Sequence, residues 1–174
     1  MVLKYFLEKV EDIEILPILE YALELAQSHL QKLTFIFNSE KFLIPYGFKD
    51  QEDVEVTAPP LFSDTYYLFY LQQWGQMGLD GYSISLSLAA RSDVFEYFSE
   101  CIDESKELLK KTVNVLLSKG LYIRAPYIVT PKKVDFIKKQ SFLTGWLGER
   151  RPLTALEITN LYANLQRNVL AGLQ

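Results

Sequence analysis

The chain carries a single histidine, His29, and a single cysteine, Cys101, among 22 acidic residues. These are the side chains with which it could hold a metal ion or move a proton. In a carboxylate-rich helical protein the sharpest chemistry to look for is a di-iron centre. That site takes a glutamate from each of two helices and a Glu-x-x-His motif from each of two others. Residue 26 is alanine, so His29 does not complete the motif, and one histidine cannot complete two. The carboxylates are also misplaced in the sequence pattern. Glu20 and Glu24 share a helical row with Pro17, Gln27 and Gln31, away from the leucine-rich face. Glu96, Glu100, Asp103 and Glu107 oppose the apolar row of their own helix, and the stretch 65–90 holds one acid, Asp80.

His29 and Asp80 are therefore the candidate metal ligands, with an acid of the helix 92–118 as a further partner. Iron or another divalent metal is the cofactor such a site implies. The competing reading makes His29 a half-buried residue hydrogen-bonded to a neighbour at the edge of an apolar face. Cys101, flanked by Val94, Phe98 and Leu108 along its row, reads as a buried inert thiol rather than a nucleophile. No serine elbow, phosphate loop or dinucleotide fingerprint is present. No catalytic or cofactor-binding residue is assigned, and the chain reads as non-enzymatic.

The elements that would position these residues are helical. From Ile13 to Phe37, Leu16, Leu19, Leu23, Ala26, Leu30, Leu33 and Phe37 recur at three- and four-residue steps, the signature of an amphipathic helix. A second row, Ile15, Ile18, Ala22, Leu25 and Ile36, widens the apolar face. Residues 1–11 form about three turns with Val2, Leu3, Phe6, Leu7 and Val10 apolar. Between Asn38 and Ser63 periodicity stops, and Pro45, Gly47, Pro59 and Pro60 forbid a continuous helix. Its apolar residues predict a loop that packs over the bundle. Asp64 is the expected N-cap of the next helix, which is apolar almost all round and so predicted to be the most buried element. Gly75, Gly78 and Gly81 lie three apart on it, a spacing that suits close approach of a neighbouring backbone; no strand precedes them, as a phosphate loop would require.

A fourth helix starts at Ser92 or Asp93 and ends at Gly120, with Val94, Phe98, Cys101, Ser105, Leu108 and Val115 as its core row. Residues 121–153 hold three prolines, a short helical candidate at 132–140 and the large aromatics Tyr122, Tyr127 and Trp146. Like Phe42, Tyr46 and Phe48 in the first loop, these read as lids over the bundle ends or as partner contacts. Thr154 and Glu157 form a capping box for a last helix with Leu156, Leu161, Leu165, Val169 and Leu170 on one side. The domain reading is a bundle core over 1–120, a linker packing on it over 121–153, and a C-terminal helix over 154–174 that completes the bundle or a dimer.

Composition narrows the function classes. The hydrophobic fraction of 49% and aromatic fraction of 14% exclude a disordered chain. The net charge of −4 is spread along the sequence, and no basic stripe exists to neutralise a phosphate backbone, so nucleic acid is not an expected partner. Lys132, Lys133, Lys138, Lys139, Arg150 and Arg151 make only a small patch, suited to acidic surface of the same fold or of another copy. No apolar run reaches the roughly 18 to 20 residues of a membrane span, no signal peptide is visible, and a lone cysteine suits a reducing compartment. The expected location is cytoplasmic.

The blocks LEYALELAQSHLQKL, SDTYYLFYL, AARSDVFEYFSECIDES, LLSKGLYIRAPYI and KKQSFLTGWLGERRPLTALEI resemble the ferritin-like family of spore-forming bacteria related to spore coat protein F. The resemblance implies an all-α, ferritin-like up-down four-helix bundle with long loops and an extra C-terminal helix. It implies one unit of a usually tandem-duplicated protein, lacking the start of its first helix and continuing into the opening helix of a second unit. It also implies a structural role, in the spore or the cytoplasm, without a known activity. A shortened first helix and an unpartnered last one leave apolar surface on both, and the expected partner is a second copy, as a homodimer or a domain swap.

Overall fold

A computed structural model describes residues 1–55, 57–125, 127, 129, 130, 132–134, 136 and 153–171. All regular structure among the described residues is helical: α1 (Val2–Lys9), α2 (Leu16–Ser39), α3 (Asp50–Asp53), α4 (Asp64–Leu88), α5 (Ser92–Ser118) and α6 (Ala155–Ala171). The chain divides into two compact units, Met1–Tyr122 and Ile123–Gln174.

In the first unit α5 runs antiparallel to both α2 and α4. Contacts pair Glu14 with Lys119 and Lys32 with Glu100 along α2 and α5, and Gly75 with Leu109 and Gly78 with Ser105 along α4 and α5. α2 and α4 are consequently parallel, and residues 40–63 cross from the far end of one to the start of the other. α2 begins with Pro17 in its first turn, where a missing N–H costs no helical bond. α5 ends at Gly120, whose φ of 66° lets the Leu121 amide reach the carbonyl of Leu116 at 2.8 Å.

The core is densest at the α1 end. Phe6 is 1% exposed; it stacks on Tyr67 at 4.2 Å and meets Tyr70 edge-on at 5.2 Å. Burying a side chain of this size contributes about 2–3 kcal/mol. Ile15, Ile18, Leu19, Leu68, Leu71 and Leu116 close around it. Tyr5 fastens the crossover to α1, donating its hydroxyl to the Pro59 carbonyl at 2.6 Å and accepting the Leu61 amide at 2.9 Å.

Several expectations need correction. α2 buries Ile18, Leu19, Ala22 and Leu25, largely the second row, while Leu30 of the leucine stripe is 65% exposed. The N-cap of α4 is Ser63, which accepts the Tyr66 amide at 3.3 Å. Asp64 instead reaches across to α1–α2, accepting the amides of Asp12 at 2.7 Å and Glu11 at 3.2 Å. α5 starts without a side-chain cap, and Asp93 pairs with Arg91 at 2.6 Å.

The first loop does not cover the bundle. Phe42, Leu43, Tyr46, Phe48 and Leu61 are all exposed, and Phe62 is the residue that packs against the core, stacking on Tyr66. α4 is buried in its first half, through Tyr67, Leu68, Leu71, Gln73 and Gly75, but Met77, Ile84 and Leu88 of its second half are exposed. The Thr154–Glu157 capping box forms as expected, the Thr154 amide donating to Glu157 at 2.8 Å and the Glu157 amide to Thr154 Oγ1 at 3.3 Å. Residues 137–152, with Trp146, Lys138, Lys139, Arg150 and Arg151, lie outside the described residues, as do the side chains of Val169 and Leu170. Among the described residues no helix is long and apolar enough to cross a membrane.

The glycine row on α4 separates into two kinds of position. A Cβ on Gly75 would meet Leu109 Cβ at 3.0 Å and its backbone at 3.2 Å, and one on Gly78 would collide with the Ser105 hydroxyl, whereas Gly81 faces open space. Gly75→Ala should therefore destabilise the protein by about 1–3 kcal/mol. Gly81→Ala should be neutral or stabilise it by up to about 1 kcal/mol through helix propensity. Urea unfolding of the two variants beside the wild type checks the contrast.

Candidate functional site

His29 lies on the inward row of α2, two turns beyond Ala22 and one beyond Leu25, both buried. The same rotation that hides this row turns the histidine toward α5. There, Tyr97, Cys101, Ser105, Leu108 and Thr112 form the buried row. Glu104, next to that row and three residues after Cys101, shares its face of the helix. Nε2 of His29 and Oε2 of Glu104 are 2.5 Å apart, with side chains 14% and 26% exposed. Sγ of Cys101 completes the group: one donor atom from each of His29, Cys101 and Glu104 lies within 4.8 Å of the other two.

Aromatic side chains frame these residues. Tyr82 of α4 and Tyr97 of α5 both present edges to the imidazole, with ring centres at 5.7 and 6.1 Å. Oη of Tyr82 is 3.4 Å from Nδ1 of His29. Burial pushes the phenol of Tyr97 up well beyond its usual range, helped by its hydrogen bond with Cys101. Burial likewise pushes the Cys101 thiol up, with Tyr97 partly opposing it. Both groups are neutral over the physiological range. One turn further along, Lys32 donates to Glu100 at 2.5 Å, and that bond holds its ammonium above the usual range.

His29 also lines an open cleft of about 350 Å³ between α2, α4 and α5, walled by Leu25, Trp74, Met77, Tyr82 and Phe98, with Ser105 at its base beside Gly78. The cleft begins where α1 ends. α1 covers the Tyr66–Tyr70 end of α4 through Phe6, whereas Met77 and Ile84 further along α4 are exposed.

The candidate ligands of the sequence fare differently. His29 is in the group. Asp80 is exposed on α4 and is not part of it. Cys101 is fully buried, as expected of an inert thiol, yet it stands beside two other donors. Glu104 belonged to neither the apolar nor the acidic row in the sequence pattern. The signal that could have found it is its i, i+3 relation to Cys101, read against a core row passing through Tyr97.

The described family whose pattern matches is a protein of unknown function (DUF3231), over residues 1–134, and the chain belongs to that family. The match spans α1 to α5 and leaves α6 outside it. A search of curated proteins and a search of solved structures each returned no match.

Burial of Cys101 makes its reactivity a measure of local opening. Its thiol should react with a disulfide reagent at least about a hundredfold more slowly in the folded protein than in urea, the slowing expected of an opening that costs about 3 kcal/mol. Reaction at the unfolded rate under native conditions would contradict the packing of Tyr97 over the sulfur.

Proposed function

We propose that this is a non-enzymatic structural protein that works by self-association, its C-terminal helix completing the bundle of a second copy. The observation that carries this reading is a match of lengths and surfaces. At about 1.5 Å per residue, the 25 residues of α4 span about 37 Å and the eight of α1 about 12 Å. Beyond the stretch of α4 that Phe6 of α1 meets, Met77, Ile84 and Leu88 are exposed, and the 17 residues of α6 make a helix of about 25 Å, long enough to lie along them. Both surfaces are apolar and exposed in a single chain: Met77, Ile84 and Leu88 on α4, and Leu156, Leu161 and Leu165 on α6. A soluble protein rarely leaves such faces bare.

In this arrangement α1 and the partner's α6 share the fourth column of a ferritin-like four-helix bundle. An exchange of identical helices closes as a two-fold dimer. The spore-coat resemblance of the sequence blocks supports a packing role of the same kind, in the spore or the cytoplasm.

Sedimentation velocity tests the reading. The wild type should sediment as a dimer at tens of micromolar, and Leu161→Asp with Leu165→Asp should convert it to a monomer that retains its helical content. A wild-type monomer at that concentration would overturn it.

A further inference from the structure

We propose that His29, Cys101 and Glu104 bind one divalent transition-metal ion, zinc in the first place, through Nε2, Sγ and a carboxylate oxygen, with the fourth position facing the cleft that His29 lines. The donor set is the first argument. A neutral imidazole, a thiolate and a carboxylate are the three side-chain ligands of zinc, and three protein ligands with one open position is the arrangement of reactive zinc sites. The mixture of sulfur and nitrogen donors argues against magnesium or calcium, which take oxygen.

Geometry is the second. Bonds of about 2.0–2.3 Å in a tetrahedron put donor atoms about 3.3–3.7 Å apart. The three atoms already lie within 4.8 Å of one another, so side-chain rotations suffice and the helices stay in place. The 2.5 Å contact between His29 and Glu104 opens by about 1 Å as the metal replaces the proton between them. Coordination releases the thiol proton of Cys101 to solvent. The neutral imidazole then carries its proton on Nδ1, which faces the Tyr82 hydroxyl at 3.4 Å. A hydrogen-bond acceptor at that position is the usual device for fixing the tautomer of a metal-bound histidine.

The third argument is placement. The three residues join α2 to α5 beyond the end of α1, in the half of the bundle that lacks the Phe6 cluster. A metal there would cross-link two helices where apolar packing is thinnest, and its binding free energy would add to stability.

The test is titration of chelator-treated full-length protein with Co²⁺, followed by competition with Zn²⁺. One equivalent of Co²⁺ should give a thiolate-to-cobalt charge-transfer band in the near ultraviolet, and Zn²⁺ should bleach it. Cys101→Ser should abolish the band, and His29→Gln and Glu104→Gln should each weaken binding at least about tenfold, since even outer partners of a metal site are worth 10–100-fold. Circular dichroism confirms that each variant is folded. A folded wild type that shows no such band, or takes up Co²⁺ equally well after Cys101→Ser and His29→Gln, would overturn the site. The optical readout does not depend on oligomeric state, so its failure is distinct from failure of the self-association reading.

Discussion

The close approach of α4 and α5 is the constraint on which the rest of the first unit depends. Gly75 and Gly78 remove two side chains from the face of α4, and Leu109 and Ser105 of α5 sit in the space. Contact that tight fixes both the separation and the rotation of the pair. With Ser105 turned to α4, Cys101 lies one turn earlier on the same buried row, and Glu104 is swung toward α2. The inward row of α2 is set by the same packing, since Ile18, Ala22 and Leu25 fill the remaining groove. His29 follows on that row. The juxtaposition of histidine, thiol and carboxylate is thus a consequence of two glycines on a third helix.

Most of the helical architecture is legible in the sequence because period, breakers and caps agree. Pro17, Gly120 and the Thr154–Glu157 box act where the pattern puts them. What was not legible is rotation. A helix with two adjacent apolar rows does not reveal which one a neighbour will cover, and in α2 the partners select the row ending in His29 over the one ending in Leu30 and Phe37. The same ambiguity hid Glu104, whose neighbours on the helical wheel are both apolar and acidic. Asp64 shows a related limit: a residue fit to cap its own helix can find a better pair of donors elsewhere, here the amides of Glu11 and Asp12. The exposed aromatics of residues 42–48 show that apolar composition in a loop does not ensure burial.

The two halves of the bundle differ in how they are held. At one end Phe6, Tyr67 and the leucines around them make an aromatic core, reinforced by Lys119 bridging Asp12 at 2.8 Å and Glu14 at 2.5 Å. At the other end a polar group, His29 with Glu104, sits where further apolar packing would otherwise be expected, and an open cleft lies beside it. A second helix from outside and a metal ion between α2 and α5 would each compensate for that thin packing, one by covering apolar surface and the other by tying two helices together. The two adjoin at Met77, which walls the cleft and also lies on the exposed α4 face, while the three metal donors sit on the α2–α5 seam.

The central claim is that α5 is rotated so that Cys101 and Glu104 face His29 and converge on one point. A crystal structure of protein never exposed to chelator, with an anomalous scan for transition metals, tests it most directly. The account predicts a single anomalous peak between Nε2 of His29, Sγ of Cys101 and the Glu104 carboxylate. An anomalous signal confined to other sites, with His29 turned away from α5, would contradict it.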